Sequence, residues 1–524
     1  MTVHRRLSAP LSPALAGLLA ALLALAGCTS SGDPGTASGS ASASGSTAPP
    51  AAAAIDWTDC NDKIHPIIAN RPGSDRALTF SCGTTTAPVS YDDPSGPTLQ
   101  LFLVRAVLAG QTDRKGSLMV NPGGPGRSAT DAAIQSALTL PVDVLQRFDI
   151  VGVDPRGVGL STPVECISDQ QKDQIAATEP RPTTPEQLDA AFALAKQVSD
   201  ECSTKYGTAL GAFSTVATAR DMDRVRGALG DQQLTYLGYS YGTTLGSTYA
   251  ELFPDRVRAL VLDGAVDPDA DARAAAEARA QGFEAAFDAF AANCTGWVGG
   301  CPVGADPRAF LNDVLTQAAA TPVPSSRAGE NRQATPGLVL SGVRSALYQP
   351  GAWPQLAQSL ASAKNGDSAG ILTLADTYTG RNEDGTYSNV IDANLTVGCA
   401  DTGEKFSAAT VRGLVADWNA KYPLFGADAA TSLYTCSAWQ APRTPVPHRD
   451  AQGSAPILVI GTQGDPVTPL PGAVDMARDL GSGVLLTWQG SGHTAYPKTA
   501  CVTAAVDAYL IDLTAPQDGL TCPA

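Results

Sequence analysis

A serine flanked by glycines, between a predicted strand and a predicted helix, constrains the fold of this 524-residue chain more than any other feature. The run Leu-Thr-Tyr-Leu-Gly at 234–238 predicts a strand, and the pattern at 243–253 predicts a helix. Between them the sequence Gly-Tyr-Ser-Tyr-Gly at 238–242 matches G-x-S-x-G. In that setting the turn is too tight for a Cβ beside the serine, whose hydroxyl is presented above the sheet near a helix N-terminus. The motif therefore predicts that Ser240 is a nucleophile.

Short apolar runs alternate with helical patterns along much of the chain. Strands are predicted at 99–104, 117–120, 148–154, 257–262, 457–460 and 484–488, and further helices at 215–229 and 502–513. This alternation predicts a mostly parallel sheet with helices on both faces, and active residues at the carboxyl ends of its strands. Hydrophobic residues make up 44% of the chain, which supports a buried core and excludes wholesale disorder.

An Ala-rich, mainly helical stretch interrupts this alternation at 269–390. Because the missing strands resume only after it, we interpret the stretch as a cap domain inserted into the sheet domain. The alternative is a separate tandem domain. The sheet domain then consists of two parts, 55–268 and 391–524.

A serine nucleophile needs a base, and the chain offers few. It has four histidines: His4, His65, His448 and His493. The first belongs to a predicted signal peptide, the second precedes the sheet, and the third lies in a proline-rich stretch. His493 follows the strand that ends at Trp488, and in this type of sheet the base comes last in the order Ser, acid, His. His493 is therefore the predicted base.

The acid that orients the histidine is expected after the penultimate strand. Asp465 lies there, in the run Gly-Asp-Pro-Val-Thr-Pro at 464–469, which begins four residues past the strand residue Ile460. Asp263 and Asp267 are rivals, because they follow an earlier strand that some hydrolases use for the acid.

An oxyanion hole needs two backbone N–H donors. One is expected from Tyr241, the residue after the nucleophile. The other is expected from the run Asn-Pro-Gly-Gly-Pro-Gly at 121–126, directly after an early strand, where glycines let the backbone approach a substrate. We predict Gly124 as that donor, with Gly123 as the alternative.

The N-terminus predicts export. Arg5 and Arg6 precede an apolar stretch at 11–26, shorter than a comfortable membrane span, which predicts a signal peptide at 1–28. Its ending Leu-Ala-Gly-Cys resembles the bacterial lipoprotein box and implies lipidation of Cys28; the alternative is an ordinary signal peptide. Residues 29–54 are almost all Ser, Gly, Ala, Thr and Pro and predict a flexible tether. We therefore expect the protein to be anchored at the outer face of a bacterial cell membrane, or released to the medium.

Ten of the eleven cysteines remain after Cys28, an even number that suggests disulfides in an exported chain. Connectivity does not follow from sequence, and some of them could be free buried thiols. The simplest hypothesis pairs neighbours: Cys60–Cys82, Cys166–Cys202, Cys294–Cys301, Cys399–Cys436 and Cys501–Cys522.

Charge and composition argue against several partners. The net charge of −16 argues against nucleic-acid binding, which needs a basic surface. The chain has no His-x-x-x-His pair and no Cys-x-x-Cys pair, so a metal site is not expected, and no cofactor is implied.

Four motifs together resemble a known family: Gly-Gly-Pro-Gly at 123–126, Asp-Pro-Arg-Gly-Val-Gly-Leu-Ser at 154–161, the serine motif at 238–242 and Gly-Asp-Pro-Val-Thr-Pro at 464–469. They resemble the proline-iminopeptidase branch of the α/β-hydrolases. More narrowly, together with Cys-Ser-Ala-Trp at 436–439, they resemble the secreted tripeptidyl aminopeptidases of high-GC Gram-positive bacteria. The resemblance spans residues 57–524, and Asn121-Pro122 departs from the histidine that commonly precedes the glycines in proline iminopeptidases.

The resemblance implies an α/β-hydrolase fold whose nucleophile, acid and base are Ser240, Asp465 and His493. It further implies an exopeptidase that cleaves short peptides, such as tripeptides, from substrates with free N-termini. Such selectivity needs an acidic group for the substrate ammonium, for which Asp401 is one candidate. A serine esterase or lipase with the same three residues, and a catalytically inactive ligand-binding lipoprotein, are the alternatives.

Overall fold

The computed structural model describes residues 54–447 and 450–524. The predicted signal peptide with Cys28, the tether except its last residue, and His448 lie outside the described residues. Within those ranges no helix combines the length and apolar character needed to cross a membrane.

Ten strands make up one sheet in the described part of the chain: β1 (Asp56–Asp59), β2 (Leu78–Pro88), β3 (Thr98–Leu108), β4 (Gly116–Asn121), β5 (Phe148–Val153), β6 (Leu234–Tyr239), β7 (Val257–Asp263), β8 (Ile457–Gly464), β9 (Gly483–Ser491) and β10 (Leu520–Cys522). Their order in the sheet is β1-β2-β3-β5-β4-β6-β7-β8-β9-β10. The pairs β1–β2, β2–β3 and β3–β5 are antiparallel, and all other pairs are parallel. The predicted mostly parallel sheet is confirmed.

Helices connect and cover the strands: α1 (Asn61–Ile68), α2 (Ala129–Thr139), α3 (Val142–Arg147), α4 (Asp169–Ala177), α5 (Pro185–Tyr206), α6 (Thr215–Ala228), α7 (Tyr241–Leu252), α8 (Ala272–Thr295), α9 (Pro307–Ala320), α10 (Pro336–Leu347), α11 (Trp353–Lys364), α12 (Ala369–Thr379), α13 (Val390–Asp401), α14 (Ala408–Lys421), α15 (Gly426–Ser432), α16 (Leu470–Asp479) and α17 (Ala500–Asp512). Short 3₁₀ turns occur at Gly207–Ala212, Pro254–Arg256, Pro350–Ala352 and Thr435–Ala438.

The central strands are buried on both faces, as expected of a sheet between two helical layers. Every residue of β4 and β5 is buried. On one face Val120 and Val261 pack in a core that includes Val506 of α17. On the other face Met119 packs in a core that includes Met222 of α6. Burial on both sides fixes the strand ends, and these ends carry the candidate site.

Helices α8 to α15, here called the inserted helices, lie between β7 and β8 in the chain. These two strands are parallel neighbours, with Leu260 opposite Ile457, so the helices interrupt a single sheet. The helices continue beyond residue 390 as far as Ser432, and the sheet resumes at Ile457. The limits of a separate cap domain at 269 and 390 stay a prediction.

A second helical excursion, α4 and α5, lies between β5 and the helix predicted at 215–229, in a part of the chain for which no element is predicted from the sequence. Phe192 of α5 packs in one cluster with Ala276 of α8 and Trp418 of α14. The two excursions therefore share a core.

The five disulfides join the cysteines that the neighbour-pairing hypothesis joins. Cα–Cα distances within the pairs range from 4.5 to 5.7 Å, within the usual reach of a disulfide. The pairing is confirmed: Cys60–Cys82, Cys166–Cys202, Cys294–Cys301, Cys399–Cys436 and Cys501–Cys522.

Candidate active site

Ser240 occupies a strained turn between β6 and α7. Its φ of 56° lies in the left-handed region, which costs a residue with a side chain about 1–3 kcal/mol. Its N–H donates to the carbonyl of Asp263 at 2.9 Å, which ties the turn to the next strand. A Cβ on Gly238 would lie 2.5 Å from the carbonyl oxygen of Gly242, so the turn closes only with glycine there. The structure therefore has the predicted strand–turn–helix arrangement around Ser240.

His493 and Asp465 meet directly. The imidazole Nδ1 lies 3.0 Å from Oδ1 and 2.9 Å from Oδ2 of Asp465, and both residues are buried. Oδ1 of Asp465 also accepts the N–H groups of Val467 and Thr468, each at 2.9 Å. The Asp465 carboxylate is therefore held by N–H groups of its own loop as well as by the imidazole.

These contacts set the protonation of the pair. Burial opposes ionisation of Asp465, but the charge of His493 and the hydrogen bonds from His493, Thr468 and Val467 outweigh it and lower the pKa of the carboxyl below its usual range. An ionised Asp465 accepts hydrogen bonds only, so Nδ1 of His493 carries a proton. In the neutral imidazole Nε2 is then left as the proton acceptor.

Ser240 and His493 lie on either side of the end of β7. The Ser240 N–H binds the carbonyl of Asp263, and an ideal Cβ on the following Gly264 would lie 3.3 Å from Cε1 of His493. Within the described residues no hydrogen bond joins the Ser240 hydroxyl to the imidazole. Catalytic hydrogen bonds often tighten only when substrate is bound.

The rival acids make other contacts. Asp263 is fully buried and accepts the N–H of Ala495 with both oxygens at 3.0 Å, and the N–H of Tyr496 at 2.8 Å. Burial raises the pKa of Asp263 to about 6, although the N–H donors of Tyr496 and Ala495 partly offset it. Asp267 accepts the N–H groups of Asp269 and Ala270 in the turn before α8. Asp465 is the acid that reaches the imidazole.

The glycine loop lies against the serine turn. A Cβ on Gly123, whose φ is 86°, would lie 2.9 Å from the nitrogen of Tyr241 and 3.0 Å from Cβ of Ser240. The Gly123 N–H already donates to Oδ1 of Asn121 at 2.9 Å. The N–H groups of Gly124 and Tyr241 find no acceptor in the described part of the chain. Of the two glycines, Gly124 is therefore the one with a free donor.

The Tyr241 side chain is held by a chain of hydrogen bonds that sequence reasoning did not identify. Its hydroxyl binds Oγ1 of Thr215 at the start of α6. The Thr215 hydroxyl donates to Oδ2 of Asp401 at 2.6 Å, and its N–H donates to Oδ1 at 2.8 Å. Asp401, the candidate acceptor for a substrate ammonium, is thus bonded to the N-terminus of α6.

The loop of His493 also contacts the inserted helices. The His493 N–H donates to the carbonyl of Tyr348 at 2.7 Å, and Nε2 of Gln349 donates to the carbonyl of His493 at 3.1 Å. Nζ of Lys498 donates to the same carbonyl at 2.7 Å. Nothing in the local sequence of Tyr348 and Gln349 indicates this contact, since both lie far from His493 in the chain.

No group of three or more Cys, His, Asp or Glu side chains is arranged to hold a metal ion among the described residues. Ser240 lies in a strained strand-to-helix turn, beside an imidazole held by a buried carboxylate, at the carboxyl ends of the parallel strands. This arrangement defines the class of protein: a serine hydrolase with an α/β-hydrolase fold.

Comparison with known proteins narrows the class. A model of the family described as TAP-like protein matches residues 422–522, which contain Asp465 and His493. Serine protease Hip1 of Mycobacterium tuberculosis is 38% identical over 488 residues, covering 89% of this chain and 91% of Hip1. Carboxylesterase B of the same organism is 36% identical over 522 residues, covering 97% and 96%. Tripeptidyl aminopeptidase of Streptomyces coelicolor is 28% identical over 484 residues, covering 90% and 86%.

The chain belongs to the tripeptidyl-aminopeptidase-like family of α/β-hydrolases that includes Hip1. The resemblance inferred from the four sequence motifs is confirmed.

Proposed function

We propose that the protein is a serine exopeptidase that releases short peptides, in particular tripeptides, from substrates with free N-termini. The single observation that carries the proposal is the buried Asp465–His493 pair beside the strained Ser240. These three residues are the proposed acid, base and nucleophile.

The chemistry follows from the geometry. The Ser240 hydroxyl attacks the scissile carbonyl carbon while Nε2 of His493 takes its proton, and Asp465 stabilises the resulting imidazolium. The N–H groups of Gly124 and Tyr241 bind the oxyanion. His493 then protonates the leaving amine, and water, activated by the same imidazole, hydrolyses the acyl-enzyme.

The relatives support a peptide substrate. Hip1 is named a serine protease, and the Streptomyces relative is named a tripeptidyl aminopeptidase. The inserted helices contact the loop of His493, so they are placed to limit the length of peptide that the site accepts. Peptides and proteins with free N-termini are the proposed substrates.

A serine esterase is the second candidate, because another relative is named carboxylesterase B. Esters and amides use the same three residues and the same oxyanion hole, and an ester presents the better leaving group. Rates on an amide and an ester with the same acyl group therefore separate the two functions.

Paired chromogenic substrates test the proposal. A tripeptide p-nitroanilide with a free amine is compared with its N-acetylated form and with the matching p-nitrophenyl ester. The proposal expects hydrolysis of the free-amine anilide and a large loss of kcat/KM on acetylation. Equal rates on the free and acetylated anilides would contradict the exopeptidase, and hydrolysis of the ester alone would favour the esterase.

We also propose that the protein is exported and anchored by a lipid on Cys28. Five disulfides support an oxidising compartment outside the cytoplasm. Expression in a bacterial host with an alkyne-tagged fatty acid tests the anchor. The wild-type chain should carry the tag in the membrane fraction, and Cys28→Ala should not; tagging of the variant would contradict the assignment.

A further inference from the structure

Both backbone polar groups of His493 bind the turn that ends α10, one of the inserted helices. The N–H donates to the carbonyl of Tyr348 at 2.7 Å, and the carbonyl accepts from Nε2 of Gln349 at 3.1 Å. The Tyr348 ring and the imidazole are nearly perpendicular, with 5.3 Å between centroids and 86° between planes. The turn therefore contacts the backbone and the ring of the proposed base together.

The two loops approach closely. Gly492, just before His493, has a φ of 98°, and a Cβ there would lie 2.8 Å from Cδ of Pro350 and 2.9 Å from the carbonyl oxygen of Tyr348. Only a residue without a side chain allows this approach. The hydrogen bonds between His493 and the turn therefore depend on the glycine at position 492.

The turn itself is anchored in the core of the inserted helices. Val343 and Leu347, in the last turns of α10, are buried in one cluster with Phe287 of α8 and Leu356 of α11. The Tyr348 ring packs against Phe283, with 6.1 Å between centroids. A displacement of these helices would therefore be transmitted to His493.

We propose that Tyr348 and Gln349 are positioning residues for His493, so that the inserted helices are part of the catalytic apparatus. Asp465 orients the ring through Nδ1, and the turn fixes the backbone from which the ring projects. Misplacement of a catalytic group by about 1 Å can cost roughly 100-fold in rate. The proposal rests on the proposed function in one respect, that His493 is the general base.

Gln349→Ala tests the side-chain contact. The rate constant for inactivation by a fluorophosphonate reports activation of Ser240 without a chosen substrate, and kcat per titrated active site is measured in parallel. Loss of one hydrogen bond should lower both by about fivefold, with KM unchanged. Gln349→Glu, which keeps the size of the side chain but has no donor when ionised, should not recover the loss.

Gln440→Ala is the matched control. Gln349 and Gln440 are both exposed, and Nε2 of Gln440 donates to the carbonyl of Ala438 at 3.0 Å. The alanine variant of Gln440 therefore loses the same kind of hydrogen bond at a different place in the fold. This variant should keep the wild-type rate constants. An equal loss in both glutamine variants, or none in Gln349→Ala, would overturn the role of Gln349.

Tyr348→Phe and Tyr348→Ala test the ring. The contact to His493 is between the two rings, so the phenylalanine variant should retain the inactivation rate and the alanine variant should lose about fivefold. Equal rates in the two variants would overturn the role of the ring. The variant His493→Ala distinguishes failure of the positioning role from failure of the proposed function. If His493→Ala reacts with the fluorophosphonate as fast as wild type, His493 is not the base. If His493→Ala reacts much more slowly while Gln349→Ala and Tyr348→Ala keep the wild-type rate, only the positioning role is contradicted.

Discussion

Asp263 accepts the backbone N–H of Ala495 through both of its carboxylate oxygens, each at 3.0 Å. The same carboxylate accepts the N–H of Tyr496, and no part of its side chain is exposed. A buried carboxylate at the end of β7 therefore holds the chain just beyond His493. The proposed base is fixed on three sides: its ring by Asp465, its carbonyl by Gln349 and Lys498, and its following residues by Asp263.

Asp263 is expected to make stability depend on pH. Its folded-state pKa of about 6 lies above the usual 3.8, so the native state holds a proton between these values that the unfolded chain has released. Its contribution to stability is therefore largest below the unfolded pKa and falls as pH rises through 6. The unfolding free energy of wild type minus that of Asp263→Asn should fall by roughly 2 kcal/mol between pH 4 and pH 7.

Guanidinium unfolding with the disulfides intact, at four pH values in this range, checks the expectation for Asp263. A difference between wild type and Asp263→Asn that does not change with pH, or that grows as pH rises, would contradict the raised pKa.

Asp465→Asn is expected to lower kcat/KM by roughly three to four orders of magnitude, because an amide no longer fixes the tautomer of His493 or stabilises the imidazolium. Asp267→Asn is the matched control, since within the described residues Asp267 accepts N–H groups of the turn before α8 and does not contact His493. Steady-state hydrolysis of the free-amine anilide by both variants is the measurement. Near-wild-type activity of Asp465→Asn, or an equal loss in Asp267→Asn, would be inconsistent with Asp465 as the acid.

Gly123→Ala is expected to lower kcat by at least about 100-fold, the typical cost of a lost oxyanion donor. The new methyl group would lie 2.4 Å from the carbonyl oxygen of Tyr239 and 2.9 Å from the nitrogen of Tyr241, and would push the two loops apart. Gly230→Ala is the matched control, because the φ of Gly230 is 83° and that of Gly123 is 86°, but nothing lies within 4 Å of a Cβ added at Gly230. It should keep its activity when kcat per titrated site is measured.

Removal of the Cys501–Cys522 disulfide is expected to lower stability without changing kcat. The bridge joins α17 to the edge strand β10 and closes a loop with a sequence separation of 21, for which loop-closure entropy gives about 3 kcal/mol. The double variant Cys501→Ala, Cys522→Ala should unfold at lower denaturant and retain kcat. An unchanged unfolding midpoint would contradict this expectation.

Local patterns predicted much of the sheet. The strand predicted at 234–238 is β6, the strand predicted at 257–262 is β7, and the loops that carry Asp465 and His493 follow β8 and β9. These features depend on apolar runs and turn residues that are close together in the chain. The disulfide hypothesis, which simply paired cysteines that are neighbours in sequence, also agrees with the five observed bridges.

The parts that sequence did not predict depend on contacts between distant segments. Helices α4 and α5 were not assigned, because their apolar residues pack against helices that are distant in the chain: Phe192 of α5 packs in one cluster with Trp418 of α14. Ala176 of α4 packs in another cluster with Phe283 of α8. The roles of Asp263 and Tyr348 were not foreseen for the same reason. Each binds the backbone of the His493 loop, and a backbone N–H or carbonyl leaves no signal in a sequence pattern.

The most direct test of the account is to locate the covalent adduct of a fluorophosphonate by peptide mass spectrometry in wild type and in His493→Ala. The account predicts a single adduct on Ser240, and a rate of formation in His493→Ala that is lower by roughly three orders of magnitude or more. An adduct on another residue, or undiminished labelling of Ser240 when the imidazole is absent, would contradict it.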